Sequence, residues 1–338
     1  MRVGFLVDAG TDVGWGHFMR CQALAVEFEG RGSQVEFWVN GSDIGFPEQG
    51  FRGTGEPTGG TGRLTGLFSR NDVVVLDFFE PSRVHFGESG PCLVVCLWDE
   101  AGEPGCSCDI LVDPNLSAVG RCPSPAGVMV LRGADYVILR PQFDRLEPRC
   151  VREEARELLV AFGGTPRPDL MLAVQEVLSR AAAPVCQSLT VVLGAAKASG
   201  VCLDGAASSV QCRLLAGVTD MRAVMARADF AFLAAGTLMY EACATALPSL
   251  VVSLNEGQAR EARAFANQGA VRYLGGLDQV SEMRLYQGLL EIGSRGVRED
   301  LARRAHQVLD GGGRGRVVDA IAAAWAQRRA RGVSYSRS

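Results

Sequence analysis

Two rhythms of apolar residues alternate along this chain. Short apolar runs recur at residues 2–7, 34–39, 73–77, 92–97, 110–112, 128–131, 136–139, 158–162, 188–193, 230–233 and 250–254. Several are rich in Val, Leu, Ile and Phe and show little polar alternation. They predict strands covered on both sides, as in a parallel sheet. Between these runs the apolar positions fall three and four apart. Cys21, Leu24, Ala25 and Phe28 predict a helix over 17–29, ended by Gly30 and Gly32. Further helices are expected over 170–180, 221–227, 239–246, 281–288, 298–308 and 317–327. Residues 41–66 are glycine-rich and weakly patterned, which suits an irregular connection better than a mobile loop beside a site.

The alternation predicts an α/β fold in two halves, with residues 141–156 as the junction. The expected organisation is an N-terminal Rossmann-like domain over 1–145, a C-terminal one over 155–315, and a terminal helix with a flexible tail over 316–338. Two such halves joined end to end predict a cleft between the carboxyl ends of their strands.

Composition narrows the classes. A chain of 338 residues is long enough for two cores. Hydrophobic residues make up 47%, an ordinary value for a soluble protein. No apolar run approaches the roughly 20 residues a membrane span needs. The first segment reaches Asp8 too soon for a signal peptide, so the expected location is cytoplasmic. The net charge of -4 argues against nucleic acid as a partner but is compatible with a local pocket for a diphosphate. The 11 cysteines are scattered, often among apolar residues, and read as small buried hydrophobes. Cys106 and Cys108, with Cys92, Cys96 and Cys122 nearby, lack the spacing of a zinc quartet. No metal or other cofactor is expected.

Four segments carry candidate chemistry, each just beyond an expected strand. The first is the loop Asp8 to Arg20, containing Gly14, Gly16 and His17, one of only three histidines. It lacks the third glycine of a dinucleotide fingerprint. A helix start favours an anion and tends to keep a nearby imidazole neutral, and a neutral imidazole can accept a proton from water or a hydroxyl. The alternative is a histidine that merely caps or packs the helix. Asp8 or Asp12 can hold the imidazole, or either can be a turn residue; Asp12 is closer in sequence.

The second segment, Gly163-Gly164-Thr165, can offer backbone N–H groups and a hydroxyl to phosphate, or be a simple turn. In the third, Gly236-Thr237 precedes a helix that carries Glu241. Thr237 can cap that helix. Glu241 can bind ribose hydroxyls or face solvent. In the fourth, Asn255 and Gln258 can read sugar hydroxyls or belong to a polar loop.

Taken in order, these motifs resemble the nucleotide-sugar hydrolases of pseudaminic acid biosynthesis, relatives of the MurG-type glycosyltransferases. The resemblance rests on Gly14-x-Gly16-His17-x-x-Arg20-Cys21, Cys108-Asp109-x-x-x-Asp113-x-Asn115, Gly133-x-x-Tyr136-x-x-Leu139-Arg140-x-x-Phe143, the Gly163, Gly236 and Asn255 segments, and Asp310-Gly311-Gly312-Gly313-Arg314. It implies a GT-B architecture: two facing Rossmann-type domains with an interdomain cleft. It also implies a UDP-linked amino or deoxy sugar as substrate, cleaved at the anomeric C–O bond to UDP and free sugar. His17 then positions or activates water, with Asp12 beside it. Gly14, Gly16, Arg20, Asp77, Phe79, Asp99, Asn255 and Gln258 meet the substrate. Gly163, Gly164, Thr165, Gly236, Thr237 and Glu241 hold the nucleotide. Two alternatives are a glycosyltransferase with a small-molecule acceptor and a non-catalytic nucleotide-sugar binder.

The chain departs from that family where Asp77-Phe78-Phe79 replaces the usual D-x-Y. Phe79 cannot donate the tyrosine hydrogen bond. A changed sugar or a changed acceptor follows from that loss.

Overall fold

The computed structural model describes residues 1–8, 16–40, 61–77, 92–98, 108–120, 126–147, 149–163, 185–193 and 210–330, with backbone only at 61–65. The chain divides into two compact units. Unit 1 comprises Met1–Pro141 with Gly312–Ser338, and unit 2 is Gln142–Gly311.

Unit 1 contains β1 (Arg2–Asp8), α1 (Gly16–Gly30), β2 (Gln34–Asn40), α2 (Thr61–Arg70), β3 (Val73–Asp77), β4 (Leu93–Leu97), β5 (Ile110–Asp113) and β6 (Met129–Arg132). Its sheet runs β2-β1-β3-β4-β5-β6, and every pairing is parallel. All residues of β3, β4 and β5 are buried, as their continuous apolar runs require. Helix α1 buries Phe18, Cys21, Leu24, Ala25 and Phe28 on one face. Against that face, Phe5 and Phe37 stack with ring centroids 4.8 Å apart. Each fully buried Phe is worth roughly 1.5–3 kcal/mol relative to exposure.

Unit 2 begins with β7 (Glu157–Ala161), β8 (Ser188–Leu193) and β9 (Gln211–Ala216). It continues through α3 (Met221–Arg227), β10 (Phe230–Ala234), α4 (Thr237–Ala244), β11 (Ser249–Ser253), α5 (Glu256–Asn267) and β12 (Arg272–Gly276). Helices α6 (Glu282–Gly293) and α7 (Arg295–Val308) complete it. Its sheet runs β12-β11-β10-β7-β8-β9, again with every pairing parallel. Counted from β7 this is the order of a dinucleotide-binding Rossmann sheet. Leu158, Val160, Phe230, Phe232, Leu250 and Val252 form the centre of its core, with Leu289, Ile292 and Leu301 from α6 and α7 packed on it.

The last helix, α8 (Gly313–Ala330), belongs to unit 1. Val317, Val318 and Ile321 enter the same core as Phe5 and Phe18. The sequence places this helix after the second half; in the fold it completes the first. The glycines at the crossing have a steric reason. A Cβ on Gly311 would overlap the Phe143 carbonyl oxygen, and one on Gly313 would overlap the Val137 carbonyl oxygen. Arg314 then pairs with Glu27 on α1 at 3.0 Å.

The family-like motif over Cys108 to Asn115 is also scaffold. Asp113 accepts from Arg132 at 2.9 Å and from the Asn115 side chain at 3.1 Å. Asp109 accepts from the Val94 backbone and from Arg328, each at 2.8 Å.

Several expectations change. Residues 136–139 are not a strand: Ala134–Tyr136 is a 3-10 turn, with Gly133 at φ 100 before it. Thr61–Arg70 is helical where an irregular connection was expected as far as Gly66. Asn255 to Gln258 is the start of α5 rather than a loop. Strands β9 and β12 carry weak apolar signals. Strand β9 has no fully buried residue, and β12 contains two glycines beside a register shift. The helix expected over 170–180 and residues 41–60 lie outside the described residues.

Candidate functional site

In unit 1, β1 and β3 are neighbours, while β2 lies on the far side of β1. The strand order therefore reverses between β1 and β3, the place where open α/β sheets leave a crevice at their carboxyl ends. Val7 pairs with Asp77 at that end. His17 stands at the start of α1, which follows β1. The topology thus brings together two residues that are 60 positions apart.

His17 Nδ1 lies 2.7 Å from Asp77 Oδ1. Arg20, one turn further along α1, meets the same carboxylate with both edges of its fork. Nε donates to Oδ2 and Nη2 to Oδ1, each at 2.5 Å. Cys21 Sγ lies 3.4 Å from Oδ2. Asp77 is fully buried, and the His17 and Arg20 side chains are 16% and 17% exposed. Four donors on two oxygens fill the acceptor capacity of a carboxylate.

The electrostatics follow from this packing. Burial alone would raise Asp77. The charge and hydrogen bonds of Arg20, with a smaller contribution from His17, outweigh it and hold the carboxyl below its ordinary range. Burial first, then the Asp77 charge, pushes the Cys21 thiol well up. Cys21 is therefore a packed thiol and not a nucleophile.

The tautomer of His17 can be argued from the same contacts. Nδ1 lies 2.7 Å from Asp77 and 3.0 Å from Arg20 Nη2. A guanidinium only donates and an ionised carboxylate only accepts. Nδ1 cannot serve both partners in one tautomer. The shorter contact is to a carboxylate held ionised, so the proton sits on Nδ1 and points at Asp77. Nε2 is left with its lone pair. This is the arrangement by which a buried Asp orients an imidazole as a base.

Asp77 was expected to touch substrate; its burial and its filled oxygens instead make it the partner of His17. The position is recognisable in hindsight as a lone carboxylate closing a wholly apolar strand. Arg20 likewise grips Asp77. Gly16 is the first residue of α1 and is exposed. Asp12, Gly14, Phe79 and Asp99 lie outside the described residues, as do Gly164 and Thr165.

In unit 2 three expected segments emerge from adjacent strands. Gly163 follows β7, Gly236 follows β10, and Asn255 follows β11, in the lateral order β11-β10-β7. Gly163 is exposed with φ +94. Gly236 has φ 139 and ψ -151 and occupies the N-cap of α4. Only glycine adopts that conformation readily. Thr237 is the first helical residue and is exposed, so it does not cap the helix. Glu241 is 1% exposed, which removes the solvent-facing alternative.

Asn255 caps α5 by accepting from the Gln258 backbone N–H at 2.9 Å. Gln258 Oε1 returns to the Leu254 N–H at 2.9 Å, one residue beyond a regular capping box. Its Nε2 lies 3.6 Å from where a Cβ on Gly236 would stand. Gln258 thus links the loops after β10 and β11.

Among the described residues no group of three or more His, Cys, Asp or Glu is arranged to hold a metal ion. No helix among them is long and apolar enough to cross a membrane.

Two parallel-sheet α/β units of this kind define the GT-B fold, and solved structures bear that out. MurG of Acinetobacter baumannii matches with a TM-score of 0.65 at 16% identity, covering 96% of this chain and 100% of that one. CalG4, the calicheamicin glycosyltransferase, matches with a TM-score of 0.59 at 14% identity, covering 98% and 99%. The spinosyn rhamnosyltransferase SpnG complexed with thymidine diphosphate matches with a TM-score of 0.58 at 15% identity, covering 94% and 100%. No protein-family model matches the chain. In sequence it is similar to the spore coat polysaccharide biosynthesis protein SpsG of Bacillus subtilis (strain 168), at 29% identity over 187 residues. That similarity spans 54% of this chain and 55% of SpsG, about half of each.

Proposed function

We propose that this chain is an enzyme that uses a nucleotide-diphosphate sugar, with His17 as the base that activates the incoming nucleophile. The observation that carries the reading is the His17–Asp77 contact of 2.7 Å, which leaves Nε2 as a proton acceptor. In the primary reading the nucleophile is water. Its oxygen attacks the anomeric carbon, and its proton passes to His17 Nε2. The bond between that carbon and the diphosphate oxygen breaks, and its electron pair leaves with the diphosphate. A diphosphate leaves without needing an acid to protonate it, so one base suffices, and no step passes through a metal.

The second unit, Gln142–Gly311, holds the nucleotide in this scheme. Backbone N–H groups beside Gly163 and Gly236 receive the diphosphate, and Gly164 and Thr165, next in sequence after Gly163, are assigned the same role. The buried Glu241 receives the ribose hydroxyls, and Gln258 adds an amide donor near Gly236. UDP is the nucleotide that the family resemblance implies.

The second reading replaces water by the hydroxyl of a small-molecule acceptor, making the protein a glycosyltransferase. The fold shared with MurG and CalG4 favours it, and the same base serves both. One experiment separates them. A panel of nucleotide sugars is incubated with the pure protein and no acceptor, and products are resolved by chromatography. Free sugar released with the nucleoside diphosphate supports hydrolysis. Release only when an acceptor is added supports transfer. Binding without turnover under either condition sinks both.

A further inference from the structure

A base at a reacting centre is useful only while it is unprotonated. A buried carboxylate against an imidazole works the other way: its negative charge favours the imidazolium. In this protein the carboxylate has a second partner. Arg20 places Nε and Nη2 on the two oxygens of Asp77, and Nη2 is also 3.0 Å from His17 Nδ1. The charges of Asp77 and Arg20 cancel. Within the group formed by His17, Asp77 and Arg20, a proton on Nε2 would then leave a net positive charge among side chains at most 17% exposed. It would also put two cations side by side. That cost falls on the imidazolium and not on the neutral ring.

We propose that Arg20 is a positioning residue for His17: by holding both oxygens of Asp77 it lets the carboxylate fix the ring's tautomer without drawing a second proton onto the ring. The proposal rests on the reading of His17 as a base. Among the described residues, the other groups on the elements packed around the ring do not duplicate the role. Cys21, also on α1, is a buried neutral thiol. Strand β1 contributes Asp8 at its carboxyl end, and β2, also packed on α1, ends in the uncharged Asn40. Helix α8 contributes Arg314 and Asp319, which pair with Glu27 and Arg31 at the opposite end of α1. Those pairs are ten or more residues along the helix, roughly 15 Å away.

The test needs no substrate. The chain contains only three histidines, His17, His85 and His306, so their ring resonances can be followed by NMR across a pH titration of the full protein. A His17→Gln variant assigns the signal. In Arg20→Gln the His17 midpoint is expected to rise by roughly one unit or more relative to the native chain. His306 should keep its native shift as a check on the fold. Arg20→Lys keeps the charge and one donor, so its midpoint should stay close to the native one. An unchanged midpoint in folded Arg20→Gln overturns the proposal. So does a clear rise in Arg20→Lys, which serves as the deciding variant if Arg20→Gln does not fold. Once a turnover assay exists, the acid limb of the kcat profile in Arg20→Gln should move to higher pH while the alkaline plateau is kept. A merely structural role for Arg20 would lower the whole profile without moving the limb. Absence of any turnover would count against the enzyme reading alone, because the titration stands apart from it.

Discussion

His17 Nδ1 and Asp77 Oδ1 stand 2.7 Å apart because β1 and β3 are adjacent strands whose carboxyl ends lie together. Nothing along the chain between residues 17 and 77 forces that meeting. It is a product of strand order.

Replacing Asp77 with Asn should therefore harm chemistry far more than binding. An amide can present N–H groups to Nδ1 and favour the wrong tautomer. The expected loss in kcat is about a thousandfold or more, with nucleotide affinity little changed. Steady-state kinetics and calorimetric titration with nucleotide would show it. An equal loss in kcat/KM through KM alone would contradict the role.

The same carboxyl links stability to acid. Its folded value lies below the unfolded value of about 3.9, so it stabilises the fold above roughly pH 4. That contribution fades as pH falls from there through the folded value. Native protein should lose stability steeply below pH 4 in denaturant titrations. Asp77→Asn should be less stable at pH 7 and show a shallower acid slope.

Gly236→Ala tests the loop after β10. Space is not the obstacle, since the new Cβ would stand 3.6 Å from Gln258 Nε2. The obstacle is φ 139, which costs a side chain about 1–3 kcal/mol. The loop should move instead, and nucleotide affinity should fall at least tenfold by titration calorimetry.

Gly311→Ala should be worse for folding and neutral for chemistry. Here φ is +78 and the Cβ would strike the backbone oxygen of Phe143, which cannot rotate away. A loss of about 3 kcal/mol or more is expected by urea unfolding.

Arg298 is the contrast to Arg20. It is fully buried and donates to the carbonyls of Ile292, Gly293, Arg152 and Glu153. Arg298→Met should cost about 3–5 kcal/mol, because those acceptors lose a charged partner. Activity per folded molecule should stay at the native level in a burst-corrected assay.

The strands that carry both sites were legible because their interiors are apolar. Runs such as 73–77 and 230–234 have no polar face to confuse the reading, and α1 shows its core stripe plainly. Residues 272–276 were not legible, because Gly275 and Gly276 replace the β-branched side chains that announce a strand. Helix α2 was hidden in the same way by Gly62 and Gly66. At the candidate site, His17 could be picked out as an imidazole beyond a strand, and Gly236 as a small residue before a helix. The partner of His17 could not. Asp8 and Asp12 are nearer in sequence, and it is the lateral order of the strands that brings Asp77 to His17. The capping role of Asn255 was missed because α5, rich in Glu, Arg and Ala, has a thin apolar stripe.

The closing helix of the first core has a consequence for how the molecule is made. Val317, Val318 and Ile321 leave the ribosome only after all of Gln142–Gly311 has been synthesised. The unit that begins first therefore finishes last. During translation the nascent first unit carries an unfilled apolar face beneath Phe5 and Phe18, while the second unit, continuous in the chain, can fold to completion. A product that stalls or terminates between Gly311 and Val317 would contain an intact second unit and a first unit that still lacks part of its interior.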